Sequence, residues 1–143
     1  TGTTSRGTRG PVTQPLTEPL YLDVECPAGA EFTEALPPDH NAFIYVIQGK
    51  VTLNDAAGKR LELQRDDLGI LAHGERVSLT AGSEATRFLL VAGRPLNEPV
   101  ARGGPFVMNT RAEIQQAMDD YTRAIERRDD FFYYHLQRGL ARK

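Results

Sequence analysis

The stretch Gly29-Ala30-Glu31-Phe32-Thr33-Glu34-Ala35-Leu36-Pro37-Pro38-Asp39-His40-Asn41-Ala42-Phe43-Ile44-Tyr45-Val46-Ile47-Gln48-Gly49 decides how this chain folds. Its second half, residues 42–48, is an apolar run of strand length, closed by a glycine and preceded by the turn signal Pro37-Pro38-Asp39. Upstream, Leu20, Leu22 and Val24 alternate with Tyr21, Asp23 and Glu25, the period of a half-buried strand. Downstream, similar runs cover 50–53, 60–64, 68–72, 76–80 and 87–91. They are separated by Asn54-Asp55 with Gly58, by His73-Gly74 and by Ala81-Gly82. Seven or eight short strands at this spacing predict an all-β, antiparallel sandwich or barrel of jelly-roll type.

The flanks have a different texture. Residues 1–19 hold six Thr, three Gly and three Pro, with Val12 and Leu16 as almost the only apolar side chains, and predict a flexible linker or arm. Residues 20–108 carry the barrel pattern and 109–143 a helical segment. Within the latter, Thr110 and Glu113 have capping-box spacing. Ile114, Ala117, Met118, Tyr121 and Ile125 then form one apolar stripe, predicting a C-terminal α-helix over about 111–128. A second apolar and aromatic stretch runs from Phe131 to Leu140.

Composition narrows the function classes. At 143 residues there is room for one core. The lone Cys26 excludes a disulfide-stapled scaffold and a multi-thiolate zinc site. No apolar run reaches the roughly 18 residues of a membrane-spanning helix, and residues 1–8 are too polar for a signal peptide. A cytoplasmic location is therefore expected. Seventeen Lys and Arg against nineteen Asp and Glu argue against a sequence-independent nucleic-acid binder. The chain opens on Thr1 rather than Met, which reads as a fragment or a processed product.

The Gly29 to Gly49 stretch resembles the first conserved motif of the cupin superfamily, in which two His and one Glu between the glycines bind a metal. Aligned on those glycines, the ligand positions fall on Ala35, Pro37 and Ala42. The second motif matches best at Asp66, Ala72, Gly74, Val77 and Ala81, which puts the fourth ligand position on Val77. Ala, Pro and Val offer no side-chain donor atom, so this cupin-like barrel is read as having no metal and no catalytic residue of its own. Further on, Gly93-Arg94-Pro95-Leu96-Asn97-Glu98-Pro99-Val100, then Gly104-Pro105-Phe106-Val107-Met108-Asn109-Thr110 and Glu113-Ile114-Gln115-Gln116-Ala117, resemble the closing half of the C-terminal cupin domain of the pirin family. The resemblance implies a bicupin parent whose N-terminal cupin would carry the iron. It also implies either a quercetin 2,3-dioxygenase-like activity for that parent or a redox-responsive regulatory role. No cofactor is then expected in this chain, and residues 1–19 become the connection between the two cupins. The expected partner is the parent's N-terminal cupin, or a second copy through the C-terminal helix and the Phe131 to Leu140 stretch, giving a homodimer or swapped oligomer. No nucleic-acid or membrane partner is expected.

The remaining candidates have plain readings beside functional ones. Glu98 is expected to hold loop N–H groups and Asn109 or Thr110 to cap the helix. His40 and His73 read as surface turn residues. A relocated site made of His40, His73 and Glu75 is the functional alternative. Cys26 reads as a small buried hydrophobe. The competing function is a stand-alone module holding a small apolar or aromatic ligand inside the barrel, lined by Phe32, Phe43, Tyr45, Ile70, Val77, Phe88 and Leu90.

Overall fold

A computed structural model describes residues 1–55 and 57–127. The first compact unit, 1–96, holds eight strands: β1 Leu20–Cys26, β2 Glu31–Ala35, β3 Asn41–Gln48, β4 Lys50–Asn54, β5 Arg60–Gln64, β6 Leu68–Ile70, β7 Arg76–Ala81 and β8 Thr86–Gly93. They form two four-stranded antiparallel sheets, ordered β1-β8-β3-β6 and β2-β7-β4-β5. Consecutive strands repeatedly change sheets, which is the jelly-roll arrangement expected from the sequence.

The inward rows build the core. Leu22, Leu90 and Ile44 are cross-strand neighbours in the first sheet, as are Val24, Phe88 and Val46. Ile44, Val46, Val51, Phe88 and Leu90 are fully buried, and Phe32 meets Phe88 edge-on at 5.4 Å between ring centroids. An edge-to-face aromatic pair favours this geometry beyond the area it buries. Strand β2 was not among the runs legible in sequence. Its inward positions are Phe32 and Glu34, and a carboxylate on the core side hides the apolar alternation.

Residues 1–19, expected to form a flexible arm, are held by polar contacts. The Tyr21 N–H donates to the Thr1 carbonyl (3.1 Å) and the Arg94 N–H to the Thr17 carbonyl (2.7 Å). The Ser5 N–H donates to the buried Glu34 carboxylate, while Arg94 bridges Glu18 (2.5 Å) and Asp39 (3.1 Å). Composition weighs apolar burial and misses backbone hydrogen bonds of this kind, which order a segment without a core of its own.

The second compact unit starts at Asn97. It contains β9 Ala101–Gly103 paired antiparallel with β10 Phe106–Met108, and the helix α1 Arg111–Arg127. The hairpin thus groups with the helix, although the sequence pattern puts it at the end of the barrel. The reason is packing: a Cβ on Gly103 would lie 2.5 Å from Ile114 Cγ2, so hairpin and helix sit in close contact there. The capping box forms as its spacing predicts: the Thr110 N–H donates to Glu113 Oε2 (2.7 Å) and the Glu113 N–H to Thr110 Oγ1 (3.2 Å). The Phe131 to Leu140 stretch lies outside the described residues.

Candidate functional site

The four positions that align with cupin metal ligands fall on two cavities. Ala42 and Val77, both buried, line a cavity of about 300 Å3. Ala35 and Pro37, both exposed, line another of about 370 Å3 together with residues of the 1–19 segment. His40 lines both cavities. Far from being a surface turn residue, it is only 7% exposed, and neither ring nitrogen has a hydrogen-bond partner. Glu18 Oε2 lies 3.9 Å from its Nε2, too far for a hydrogen bond. The turn at Pro37-Pro38-Asp39 carries His40 inward because Ala42, two residues on, already starts the inward face of β3. The His40 N–H closes that turn by donating to the Pro37 carbonyl (3.1 Å).

His73 does remain exposed, as expected of a turn residue, with Nδ1 3.3 Å from the Pro38 carbonyl oxygen. Glu75 is exposed and its main-chain carbonyl accepts from the Leu36 N–H. Among the described residues no three His, Cys, Asp or Glu side chains converge as metal ligands. The relocated His40, His73 and Glu75 site therefore has no supporting geometry. Cys26 is buried, and burial raises its thiol above the ordinary value, which disfavours the reactive thiolate.

The expected barrel-cavity lining needs correcting. Phe88, Leu90 and Val77 are buried as supposed, and Phe32 packs against Phe88. Phe43 and Tyr45 lie on the opposite face of β3, and Ile70, the partner of Phe43 across the sheet, is 82% exposed. Ala42, Ile44 and Val46 take the inward positions instead. Ile44 and Val46 sit beside Leu90 and Phe88 in register and Ala42 beside Ala92, and smaller side chains fit there where two more aromatic rings would overfill the space. The barrel centre is therefore filled with side chains. Space remains at one end, around Ala42 and Val77.

The motif residues of the second unit act on one another. Gly104 (φ 57°) and Pro105 turn the hairpin, and Phe106 stacks obliquely on Tyr121 at 5.4 Å. Asn109 Nδ2 donates to Glu98 Oε2 (2.8 Å), and the Asn109 N–H donates to Glu113 Oε2 (3.0 Å). Glu98 thus holds the Asn109 side chain rather than loop N–H groups. Thr110 and Glu113 complete the cap, so this run clips the start of α1 in place.

Comparison with known proteins decides the family. Residues 21–126 match the family model of the pirin C-terminal cupin domain. The chain belongs to the pirin family. A pirin-like protein of Caulobacter vibrioides is 42% identical over 123 residues, which are 85% of this chain and 42% of that protein. A Pseudomonas aeruginosa protein provisionally named quercetin 2,3-dioxygenase is 42% identical over 113 residues, 78% of this chain and 38% of its own length. The crystal structure of a quercetin 2,3-dioxygenase from Acinetobacter baumannii superposes with a TM-score of 0.73 at 34% identity, covering 85% of this chain and 41% of that one. This pirin chain thus spans about two fifths of the length of the curated relatives it matches.

With the pirin cupin fold established, the fit of a metal at its ligand positions can be judged by donor chemistry. Iron in a cupin needs imidazole and carboxylate donors. Ala35, Pro37, Ala42 and Val77 supply none, so the residues present do not fit the ion. Asp66 shows how far the second motif has drifted while keeping its shape. It stands at the motif's glycine position and takes the left-handed conformation (φ 70°), which Asp tolerates better than most residues. His40 is what sequence reasoning missed. A lone His in a turn carries no signal of burial.

Proposed function

We propose that this chain is the metal-free C-terminal half of a two-cupin pirin, and that it works as a rigid wall on which an iron-bearing N-terminal cupin packs. The observation that carries this reading is an asymmetry between the two sheets. An antiparallel sheet with one solvated face alternates apolar inward and polar outward. The β2-β7-β4-β5 sheet obeys this: its outer face holds Glu31, Thr80, Thr52 and Glu62 in one cross-strand row, and Thr33 beside Ser78 in another. The β1-β8-β3-β6 sheet does not. Its outer face runs Tyr21, Val91, Phe43, Ile70 in one row and Asp23, Leu89, Tyr45, Leu68 in the next, so the apolar surface is continuous over β8, β3 and β6, with Asp23 at the β1 edge. Tyr21 is 48%, Leu68 55% and Ile70 82% exposed. Contiguous apolar surface of this kind marks an interaction face.

The length of the relatives favours a cupin as the occupant, because about three fifths of each lies outside the matched part. The dioxygenase activity named for the Acinetobacter and Pseudomonas proteins would then belong to the parent, with its iron held by the other half. The lone buried thiol suits a reducing cytoplasm.

The test compares hydroxyl-radical footprints of this chain alone and within the two-cupin parent, read from the frame upstream of Thr1. Tyr21, Leu68 and Ile70 are expected to be protected in the parent and reactive in the isolated chain. Equal reactivity in both, or an upstream frame that encodes no cupin with His and Glu ligands, overturns the reading. A dimer of the isolated chain that protects these residues in place of a cupin would make a second copy the occupant.

A further inference from the structure

One end of the barrel has a cavity that shares only Ile70 with the outer sheet face. The 300 Å3 cavity there has an apolar floor, with Leu36, Ala42 and Val77 buried beneath it, and a polar rim bearing Asp55, His73 and Arg76. We propose that this mouth binds a small organic monocarboxylate, its apolar body seated on Leu36, Ala42 and Val77 and its carboxylate on Arg76.

The charged and titratable groups lining the cavity are His40, Asp55, His73 and Arg76. Asp55 is already engaged: its Oδ1 accepts the Ala57 and Lys59 N–H groups at 2.9 and 2.8 Å, which ties it to its own turn. Arg76, by contrast, has no carboxylate partner among the described residues, although Arg is the side chain best shaped for a bidentate grip on one. His73 is turned to the backbone: its Nδ1 lies 3.3 Å from the Pro38 carbonyl oxygen, which can only accept, so the ring's proton is spent there and Arg76 is the rim's grip on a carboxylate. His40 closes the inner wall with both nitrogens unpartnered, an unusual state for a buried polar side chain in a native core and one that a ligand's polar atom relieves. The apolar floor over a few convergent polar groups is the ordinary make-up of a small-molecule site. At about 30 Å3 per water-sized volume, the cavity accepts a body of roughly ten non-hydrogen atoms. The floor exists because the positions that carry Glu and His in metal-binding cupins carry Ala42 and Val77 here.

The probe is benzoate, titrated into the 15N-labelled full chain and followed by amide shifts. Saturable shifts confined to residues 36–42, 53–55 and 70–78 are expected. Arg76→Gln, at an exposed position, should weaken benzoate at least about tenfold, and benzyl alcohol should bind the unaltered chain at least about tenfold more weakly than benzoate. Ala42→Leu, which fills the floor, should abolish the shifts. Should that variant fail to fold, Arg76→Gln carries the test by itself. The proposal is overturned by the absence of saturable shifts at about 10 mM benzoate, by shifts that map elsewhere, or by benzyl alcohol binding as tightly as benzoate.

Discussion

Gly29 and Gly49 bound the stretch that decides the fold, and both take the left-handed conformation, with φ of 68° and 72°. A Cβ added at Gly29 meets nothing within 4 Å. The same atom at Gly49 would lie 2.6 Å from Thr86 Oγ1 and 2.9 Å from the Ala85 carbonyl oxygen. Gly29→Ala should therefore cost only the left-handed backbone penalty, about 1–2 kcal/mol. Gly49→Ala incurs that penalty and must also displace a backbone carbonyl and a hydroxyl that is 2% exposed. That hydroxyl lies 3.1 Å from both the Lys50 and the Glu84 carbonyl oxygens. Overpacking and a disturbed buried hydroxyl add about 2–3 kcal/mol, for a total of about 3–5 kcal/mol. With a urea slope of about 2 kcal/mol per M, the midpoint should fall by about 0.5–1 M for Gly29→Ala and about 1.5–2.5 M for Gly49→Ala. Equilibrium urea unfolding followed by circular dichroism reads both. In a Thr86→Ala background the gap should narrow without closing, because the Ala85 carbonyl remains. Equal midpoint shifts for the two glycines would refute the reasoning.

Phe88→Ala, at the centre of the barrel, should destabilise by about 3–5 kcal/mol in the same unfolding assay, and a loss below 1 kcal/mol would mean that the barrel is not packed around this ring. Thr110→Ala should cost about 1 kcal/mol and speed amide exchange in the first turn of α1. The Glu113 side of the box is pH-dependent: hydrogen bonds from the Thr110 N–H and hydroxyl, then the Asn109 N–H, hold the Glu113 carboxyl below its ordinary range. The stabilisation is thus complete above the unfolded value and is lost as pH falls through the lower folded one. Protection in the first turn, taken relative to the intrinsic exchange rate at each pH, that is the same at neutral and at acid pH contradicts it. Arg94→Ala removes the bridge to Glu18 and Asp39, so trypsin should cut at Arg6 and Arg9 several-fold faster while the barrel midpoint moves little. An unchanged cleavage rate would show that backbone contacts alone hold the segment.

Much of this molecule was legible before any tertiary contact was known. The period of Leu20, Leu22 and Val24, the capping box at Thr110 and Glu113, and the apolar stripe from Ile114 to Ile125 are local features, each set by side chains a few residues apart. The lack of metal donors at Ala35, Pro37, Ala42 and Val77 is chemistry that no fold can alter. The Gly104 to Thr110 run was legible as a family signature, though its role as a clip on the helix showed only in the Asn109 to Glu98 and Thr110 to Glu113 hydrogen bonds.

What sequence could not decide was orientation. Residues 42–48 are apolar on both parities, so period two marks a strand without saying which face is inside. That choice was made by β8, whose Phe88 and Leu90 lie beside Val46 and Ile44 and leave Phe43 and Tyr45 on the outer face with Ile70 and Leu68. The burial of His40 and the docking of residues 1–19 on Glu34 and Arg94 depend likewise on partners tens of residues away. Short-range patterning therefore determined every barrel strand but β2, the helix cap and the missing metal ligands. Only the tertiary register determined the exposed apolar face, and only the barrel's closure put an unpartnered histidine beside a cavity, because both arise from contacts between segments that no local window contains.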